Sequence, residues 1–256
     1  MNLRVLIAGI CGRMGGRVAE LMSMEDDLDV VAGVESRGNV RAGGSVELRG
    51  RSVPVFVGYS PDVPVPDVVV DFSSPAGTTE ALAFCLERGV ALVTGTTGNT
   101  EEGIRQLRTA AERIAVLVSP NMSRGVSLMD GILPQVRRAA GGQCDVEIVE
   151  KHHRAKKDSP SGTAIRLART LEQSVGAAGR KVVIHSVRAG DVVGEHTVIF
   201  GMSGERIEIK HVAESRDCFA HGTIACVRFL AGRPPGWYTM SDVLAAYSAE
   251  QADRPR

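Results

Sequence analysis

The chain contains 256 residues, enough for two modest domains or a single large one. Its 30 Lys and Arg residues balance its 30 Asp and Glu residues, so no strong overall charge favours nucleic acid or an anionic membrane as a partner. Aromatic residues make up only 4% of the sequence, which disfavours a base-stacking surface. No apolar run reaches the roughly 20 residues that span a bilayer. We therefore expect neither nucleic acid nor a membrane as a partner.

Five cysteines are scattered along the chain, an odd number without a Cys-x-x-Cys pair. This spacing disfavours a disulfide framework and a structural zinc site, so we expect no bound metal and a reducing, cytoplasmic location. The opening residues run directly into a strand-like apolar segment without a cleavage site, which predicts that there is no signal peptide.

The first half of the chain alternates short, β-branched apolar runs with helix-like segments. The runs are apolar on both faces, which is typical of parallel strands covered by helices on each side. They occupy 3–8, 29–34, 67–72, 90–95 and 114–119. Helices are predicted over about 13–24, over about 78–88 and after Thr100, a good N-cap. This alternation predicts a Rossmann-type, doubly wound parallel sheet.

The second half of the chain has a different pattern. Helices are predicted at about 126–140, 164–175 and 220–231 and from Ser241, and a strand at 145–150. Three further segments, within 181–190, 196–201 and 205–213, alternate partly between polar and apolar residues. Such alternation predicts an open mixed sheet with one exposed face. We therefore predict a second, α+β domain, with the boundary near 121–125.

A glycine-rich turn, GICGRMG, directly follows the first predicted strand and opens the first predicted helix. In this context Gly9, Gly12 and Gly15 let the backbone turn tightly and approach a pyrophosphate, which the N–H groups of the helix start would bind. The alternative is a turn that needs glycine only for close packing of helix against strand. The strand context, the spacing and an acid that follows favour a dinucleotide site.

That acid is Glu35, which ends the second predicted strand twenty residues after Gly15. A carboxylate at this position accepts a hydrogen bond from a ribose hydroxyl of adenosine, which favours NADH. Arg13 in the turn and Arg37 after the acid could instead pair with the 2′-phosphate of NADPH. The sequence leaves both cofactors open.

Two further loops follow predicted strands at the edge where open α/β sheets bind ligands. GTTG covers 95–98 and SPNMS covers 119–123. Gly95, Thr96 and Thr97 could contact a nicotinamide through backbone groups and hydroxyls. The alternative is that both loops are ordinary connections between a strand and a helix.

The stretch EKHHRAKKDSPSGTA, residues 150–164, concentrates groups that titrate or carry charge. His152 and His153 can gain or lose a proton near neutral pH. Lys156 is a cation suited to a carboxylate or, if burial lowers its pKa, to proton donation. The alternative is a solvated loop. Adjacent histidines converge poorly on one ion, which again disfavours a metal site.

The SPSGT segment at the end of this stretch opens a predicted helix. From Thr163 onward the first residues present free N–H groups, Gly162 lets a ligand approach closely, and Ser161 adds a hydroxyl. Asp158 is expected to hold the turn or to neutralise Lys157. These features predict an anion site. Beside a cation and two imidazoles, an anion site indicates a small substrate with more than one carboxylate.

Seven motifs occur in an order that resembles the dihydrodipicolinate reductase family. They are GxxGRMG, DFSSPAGT, GTTG, SPNMS, ExHHxxKxDxPSGTA, VRAGDVVGEHTVIF and HxAxSRxxFAxG, and they lie between Leu3 and Leu244. The fifth motif is the most specific. The resemblance implies an oxidoreductase that transfers a hydride from NADH or NADPH to a small cyclic dicarboxylate. The substrate would be 4-hydroxy-tetrahydrodipicolinate or dihydrodipicolinate and the product tetrahydrodipicolinate, in lysine and diaminopimelate biosynthesis.

The resemblance also implies roles for individual residues. His152 matches the position of a proton donor or acceptor, and Lys156 matches that of a second proton donor. Substrate-holding positions are matched by His153, Ser161, Gly162 and Thr163. Cofactor-binding positions are matched by Gly9, Ile10, Cys11, Gly12, Arg13, Met14, Glu35, Gly95, Thr96, Thr97, Ser119, Pro120, Asn121 and Met122.

The family assembles as a tetramer through the sheet of its second domain, so the resemblance implies a homotetramer. The C-terminal segment of the family returns to the cofactor domain. This implies a dinucleotide-binding domain of 1–123 completed by about 217–256, and a substrate-binding and oligomerisation domain of 124–216. One departure is Ser36, which follows the acid where members that use NADPH readily often carry Arg. The departure leaves the cofactor preference open.

Two other functions fit parts of the sequence. Another two-domain dehydrogenase of amino-acid metabolism, acting on aspartate or its semialdehyde, would share the fold. A non-catalytic nucleotide-sensing protein would share the glycine-rich turn. The intact HHxxK and PSGT segments argue against the first, and the presence of His152 and Lys156 argues against the second.

Overall fold

The structure is a computed structural model that describes residues 2–141, 144–176 and 179–252. The chain divides into two compact units. The first unit contains the residues up to Met122 and those from Phe219 onward, and the second contains Ser123–Cys218. Each unit is built on its own sheet.

Regular elements alternate along the described residues. The strands are β1 (Leu3–Ala8), β2 (Leu28–Glu35), β3 (Ser45–Leu48), β4 (Arg51–Val57), β5 (Val68–Asp71), β6 (Ala91–Thr94), β7 (Ala115–Val118), β8 (Asp145–His152), β9 (Val183–Arg188), β10 (Gly194–Met202), β11 (Glu205–Ala213) and β12 (Gly236–Tyr238). The helices are α1 (Arg13–Met22), α2 (Pro75–Arg88), α3 (Glu101–Ala110), α4 (Arg124–Ala140), α5 (Gly162–Val175), α6 (Asp217–Leu230) and α7 (Met240–Ala252).

The sheet of the first unit has the strand order β12-β7-β6-β5-β1-β2-β4-β3. Its neighbours are parallel except β3 and β4. Alternate residues of β1 enter two different apolar cores, Val5 and Ile7 on one face and Leu6 on the other. The predicted Rossmann-type sheet, covered on both faces, is confirmed.

Local signals explain where the helices of this unit begin and end. The hydroxyl of Ser74 caps α2 by accepting the Gly77 N–H, and Gly89, with a φ of 67°, ends the helix. Thr100 caps α3 as predicted, since its hydroxyl accepts the Gly103 N–H. The segment that starts α1 has no such side-chain cap.

Three strands were not predicted from the sequence. The hairpin of β3 and β4 forms the sheet edge, and β3 is half-exposed along its length. Pro54 interrupts the apolar run of β4, and proline is tolerated in strands mainly at edges. The third is β12, only three residues long, which pairs in parallel with β7. Such short or half-exposed strands carry little periodic signal.

The second unit has a four-stranded mixed sheet of order β11-β10-β8-β9. Only β8 and β9 are parallel. One face forms a core with α4 and α5, in which Ile148, Leu167 and Phe200 are fully buried. The predicted mixed sheet and its flanking helices are confirmed. Among the described residues, no helix combines the length and apolarity needed to cross a bilayer.

Candidate active site

The glycine-rich turn joins β1 to α1 and leaves the start of the helix open. A Cβ atom on Gly9, whose φ is +76°, would lie 2.5 Å from the Phe72 carbonyl oxygen, and one on Gly15 would lie 2.1 Å from the Gly9 carbonyl oxygen. Close packing therefore requires glycine at these two positions. Gly12 is the N-cap of α1 and offers no side chain to the N–H groups of Arg13 and Met14. An uncapped helix start of this kind fits a pyrophosphate.

The two residues between these glycines differ in their surroundings. Ile10 is 2% exposed and packs into the core, where a Cβ on Gly33 would meet its side chain at 2.3 Å. Only the backbone of Ile10 is thus available to a cofactor. The Cys11 N–H donates to the Glu35 carboxylate at 2.7 Å. Burial, followed by the charge of Glu35, raises the pKa of the Cys11 thiol, so the thiol stays protonated.

A cleft of about 320 Å³ lies beside this turn in the first unit. It is lined by Gly9, Cys11, Gly12, Glu35, Ser36, Tyr59, Ser73 and Gly77, among others. A guanidinium N–H of Arg41 donates to the Cys11 carbonyl group, so a cation and the Glu35 carboxylate both lie near Cys11. Sequence reasoning named Arg13 and Arg37 as phosphate partners but missed Arg41. The residues at this cleft fit the adenosine and pyrophosphate parts of a dinucleotide.

The GTTG loop is held in place by Asp71, the fully buried last residue of β5. The Thr96 hydroxyl donates to the Asp71 carboxyl group at 2.9 Å and is therefore committed to the fold. A Cβ on Gly95 would meet the Phe72 ring at 2.3 Å, so packing requires this glycine. Thr97 is exposed and remains available to a ligand.

The SPNMS loop also divides into buried and accessible parts. Ser119 is buried, and its hydroxyl donates to the Asn121 carbonyl oxygen at 2.7 Å. Met122 is 2% exposed, with its sulfur 3.1 Å from the Thr223 hydroxyl. Pro120 is exposed and Asn121 is half-buried. Of the four predicted residues, Pro120 and Asn121 are thus the ones whose side chains can reach a cofactor.

In the second unit, His152 ends β8 with its ring against a buried carboxylate. Alternation along the strand places Glu150 and His152 on the same, buried face. The Nδ1 atom of His152 lies 2.5 Å from Glu150 Oε2. Arg188, which stands opposite His152 on β9, binds both oxygens of Glu150 through its two terminal nitrogens at 2.9 and 2.8 Å.

These contacts fix the charge state of the pair. Burial opposes ionisation of Glu150, but hydrogen bonds from Arg188, Ser186 and His152 outweigh it and lower its pKa to about 2. Burial lowers the pKa of His152, and the hydrogen bond with Glu150 only partly restores it. The resulting arrangement is a neutral imidazole beside a carboxylate at neutral pH, ready to accept or return a proton.

A second buried histidine lies next to this pair. His196 stands opposite Glu150 on β10, and its ring packs edge-on against His152 with 5.3 Å between centroids. Its Nε2 atom lies 3.2 Å from the Ser161 hydroxyl. Burial, followed by the charge of His152, lowers the pKa of His196 to about 4, which keeps this ring neutral.

The segment after β8 carries the remaining predicted residues. Lys156 forms an ion pair of 2.8 Å with Asp158, so of the two roles expected for Asp158 the neutralisation of Lys157 is wrong. The Gly162 N–H donates to the Asp158 carboxylate, which fits the other role of holding the turn. The charge of Lys156 acts on His152, which places the ammonium group in the same neighbourhood. His153 is half-buried just beyond the strand, and its carbonyl oxygen accepts the Lys156 N–H.

The start of α5 meets this cluster through Ser161. The Ser161 hydroxyl caps the helix by accepting the Ala164 N–H, and its own N–H donates to Glu150 at 3.2 Å. Ser161 is 2% exposed, so its side chain supports the helix start from inside. Gly162 is exposed, and a Cβ there would meet nothing within 4 Å. Space for a ligand therefore exists at Gly162, although its N–H donates to the Asp158 carboxylate in this structure, and Thr163 beside it is half-buried.

Sequence reasoning brought His152, Lys156 and the SGT segment together but missed three partners of His152. They are Glu150, Arg188 and His196, which come from β8, β9 and β10. A signal for Glu150 was present, because a residue two positions before His152 on a strand shares its face. The other two depend on strand register. Among the described residues, no group of three His, Cys, Asp or Glu side chains is arranged to hold a metal ion.

Comparison with known proteins identifies the family. The model of the N-terminal part of dihydrodipicolinate reductase matches residues 3–122, and the model of its C-terminal part matches 125–244. The chain belongs to the dihydrodipicolinate reductase family. It is 40% identical to the 4-hydroxy-tetrahydrodipicolinate reductase of Aquifex aeolicus, with coverage of 95% of this chain and 99% of the relative. It is 37% identical to that of Syntrophobacter fumaroxidans, with coverage of 94% and 98%.

A solved structure agrees with the family over most of the chain. It is the dipicolinate-bound dihydrodipicolinate reductase from Paenisporosarcina sp. TG-14, which matches with a TM-score of 0.77 and 26% identity. The match covers 93% of this chain and 98% of that one. The family membership implies an oxidoreductase that uses a pyridine nucleotide.

Proposed function

We propose that the protein is a 4-hydroxy-tetrahydrodipicolinate reductase that uses NADH or NADPH in lysine and diaminopimelate biosynthesis. The observation that carries the proposal is the second unit's cluster: His152 is held by Glu150 and lies near Lys156 and Ser161, the N-cap of α5. The first unit would bind the cofactor, as predicted for a domain of 1–123 completed by about 217–256, and the second unit would bind the substrate, as predicted for 124–216.

The residues of the second unit suit a cyclic dicarboxylate. At the helix start, the Gly162 N–H would exchange the carboxylate of Asp158 for one carboxylate of the substrate, beside Thr163. Lys156 would bind carboxylate charge by exchanging its partner Asp158 for the substrate, and His153 would add a contact at the end of β8. His152 would move the proton through Nε2, because Nδ1 faces Glu150.

The residues of the first unit suit a reduced pyridine nucleotide, which when bound supplies the hydride. The open start of α1, from Gly12 to Met14, would hold the pyrophosphate, and Glu35 would accept a ribose hydroxyl. Thr97, Pro120 and Asn121 would border the nicotinamide. We propose that NADH and NADPH are both accepted, with Arg41, which contacts the Cys11 carbonyl group beside the Glu35 site, as the cation that could meet a 2′-phosphate.

A homotetramer is part of the proposal. Three apolar side chains are exposed on the face of this sheet that points away from α4 and α5: Val183, Val187 and Val212. They lie on β9 and β11, the two edge strands. A sheet face with such residues would be covered by pairing with copies of the chain. The free cysteines accord with a cytoplasmic location.

The test is a substrate-dependent oxidation of the cofactor. Purified protein should oxidise NADH and NADPH when the cyclised product of pyruvate and aspartate semialdehyde is supplied, and mass spectrometry should identify tetrahydrodipicolinate. Aspartate and aspartate semialdehyde, each supplied with NAD⁺ or NADP⁺ (and phosphate for the semialdehyde) because the related dehydrogenases oxidise them, form the control panel. Turnover with a panel member, or none with the cyclic substrate, would contradict the proposal.

A further inference from the structure

Glu150 is a fully buried carboxylate whose hydrogen bonds are all directed at the candidate proton-transfer group and its surroundings. Its Oε2 atom contacts His152 Nδ1 and one terminal nitrogen of Arg188, and its Oε1 atom contacts the other Arg188 nitrogen and the Ser161 N–H. With these four contacts and a further hydrogen bond from the Ser186 side chain, the buried charge costs little to keep ionised. These contacts fix the position of the carboxylate, which in turn restricts the orientation and the protonation form of the His152 ring.

We propose that Glu150 is a positioning residue that keeps the proton of neutral His152 on Nδ1 and leaves Nε2 free for the substrate, with Arg188 holding Glu150 in place. Because the ionised carboxylate can only accept, Nδ1 must donate to it. Nε2 then bears the lone pair. It lies beside the backbone of Gly194, where a Cβ atom would be 3.1 Å from it, so the absence of a side chain leaves room at this atom.

Charged and titratable groups surround His152 on every side that the structure describes. Glu150 faces it from β8, Arg188 from β9, His196 from β10 and Lys156 from the following segment. Both cations oppose protonation of the ring, and Glu150 alone favours it. Neutralising Glu150 should therefore move the titration of His152 to lower pH.

Glu150→Gln tests the role of this carboxylate directly. A glutamine has one acceptor oxygen, which the Arg188 and Ser161 donors would hold, so its NH₂ group would turn to His152. Nδ1 would then have to accept, and the proton would move to Nε2. We expect turnover to fall on the order of 10²-fold, since a misplaced proton removes general acid–base assistance.

The same strand offers a matched control. Glu147 forms a carboxylate–histidine pair with His185 Nε2 at 2.8 Å, but both side chains are about half-exposed. Glu147→Gln removes the same charge from β8 and should leave turnover and the titration of His152 unchanged. In a His152→Gln background, Glu150→Gln should reduce turnover little further, because its effect acts through the ring.

Two measurements separate positioning from mere structural support. The ¹⁵N chemical shifts of the histidine rings should show the Nδ1–H form of His152 in the unmodified protein and the Nε2–H form in Glu150→Gln. The limb of the kcat/KM profile that reports His152 should move to lower pH in the variant. An Nε2–H form in the unmodified protein, an unmoved limb, or additive losses in the double variant would overturn the proposal.

The turnover readings rest on the proposed reductase function, whereas the ring shifts need neither substrate nor activity. If the protein reduces none of the offered substrates, the ring shifts still decide the role of Glu150. If Glu150→Gln does not fold, the tautomers of His152 in the unmodified protein and in Arg188→Lys decide it instead. Lysine keeps the charge but cannot bind both oxygens, so Arg188→Lys should show a mixture of the two forms.

Discussion

Asp71 in the first unit and Glu150 in the second are both completely buried carboxyl side chains near the carboxyl end of a strand. Asp71 is surrounded by neutral donors: the hydroxyls of Thr78, Thr94 and Thr96 lie 2.6, 2.8 and 2.9 Å from one of its oxygens. Glu150 instead meets an arginine and an imidazole.

The difference separates a carboxyl group that holds loops from one that holds a titrating ring. Asp71 ties the end of β5 to the end of β6 and to α2, so it fixes the backbone of the loops proposed to face the cofactor. Glu150 fixes the orientation and proton position of a single side chain. Replacing Asp71 should therefore lower the stability of the fold, and replacing His152, the residue that Glu150 orients, should lower the turnover.

The largest expected effect comes from His152, the group that Glu150 orients. His152→Gln should lower kcat by about 10²- to 10⁴-fold, because the variant cannot exchange a proton near neutral pH. The affinity for NADH should be unchanged, since the cofactor residues lie in the first unit. Steady-state kinetics and NADH titration measure the two quantities. Equal loss of both would place His152 outside proton transfer.

The control for this variant is His185→Gln, which removes a histidine from β9 in the same sheet. His185 is half-exposed and pairs with Glu147. Its replacement should leave kcat within about twofold, since surface changes away from a site are usually small. A large loss at His185 would indicate that any change in this sheet disturbs turnover.

Asp71→Ala should have the next largest effect, and on stability. The change leaves the buried Thr94 hydroxyl without its acceptor and leaves that of Thr78 with only the Ser74 carbonyl oxygen, so the free energy of unfolding should fall by about 2–4 kcal/mol. Weaker NADH binding should accompany it, because the Thr96 loop loses its anchor. Urea unfolding and NADH titration provide the measurements.

Asp67→Ala is the matched comparison near the other end of the same strand. Asp67 is exposed, and its carboxylate accepts the Arg4 N–H at 2.7 Å. Its loss should cost under about 1 kcal/mol, because water replaces an exposed acceptor. Equal destabilisation by the two variants would contradict the assignment of Asp71 as a buried anchor.

The sequence predicts the parts of the molecule whose signals are local. Runs that are apolar on both faces identified the central strands such as β1, and Thr100 identified the start of α3. The edge hairpin was missed because Pro54 and half-exposed residues obscure its period. Motif membership also could not tell Ile10 and Met122, which are core side chains, from accessible neighbours such as Pro120.

The partners of His152 required information that a linear sequence does not carry. Arg188 and His196 reach the cluster only because β9 pairs in parallel and β10 antiparallel with β8. A shift of one residue in either register would turn their side chains to the opposite face. Their motif, VRAGDVVGEHTVIF, supported the family resemblance without indicating what its charged residues contact.

The smallest expected effect concerns Ser161, which contacts Glu150 through its backbone and caps α5 through its side chain. Ser161→Ala keeps the N–H donor to the carboxylate but removes the cap and the hydroxyl beside His196. Stability should fall by about 1–2 kcal/mol, against about 0.5–1 kcal/mol for Thr100→Ala, an exposed cap in the first unit. Chemical unfolding of both variants checks the difference. The pH dependence of turnover should stay unchanged in Ser161→Ala, because Glu150 still holds His152. A shifted pH profile would mean that the Ser161 hydroxyl also affects the protonation of the His152 ring.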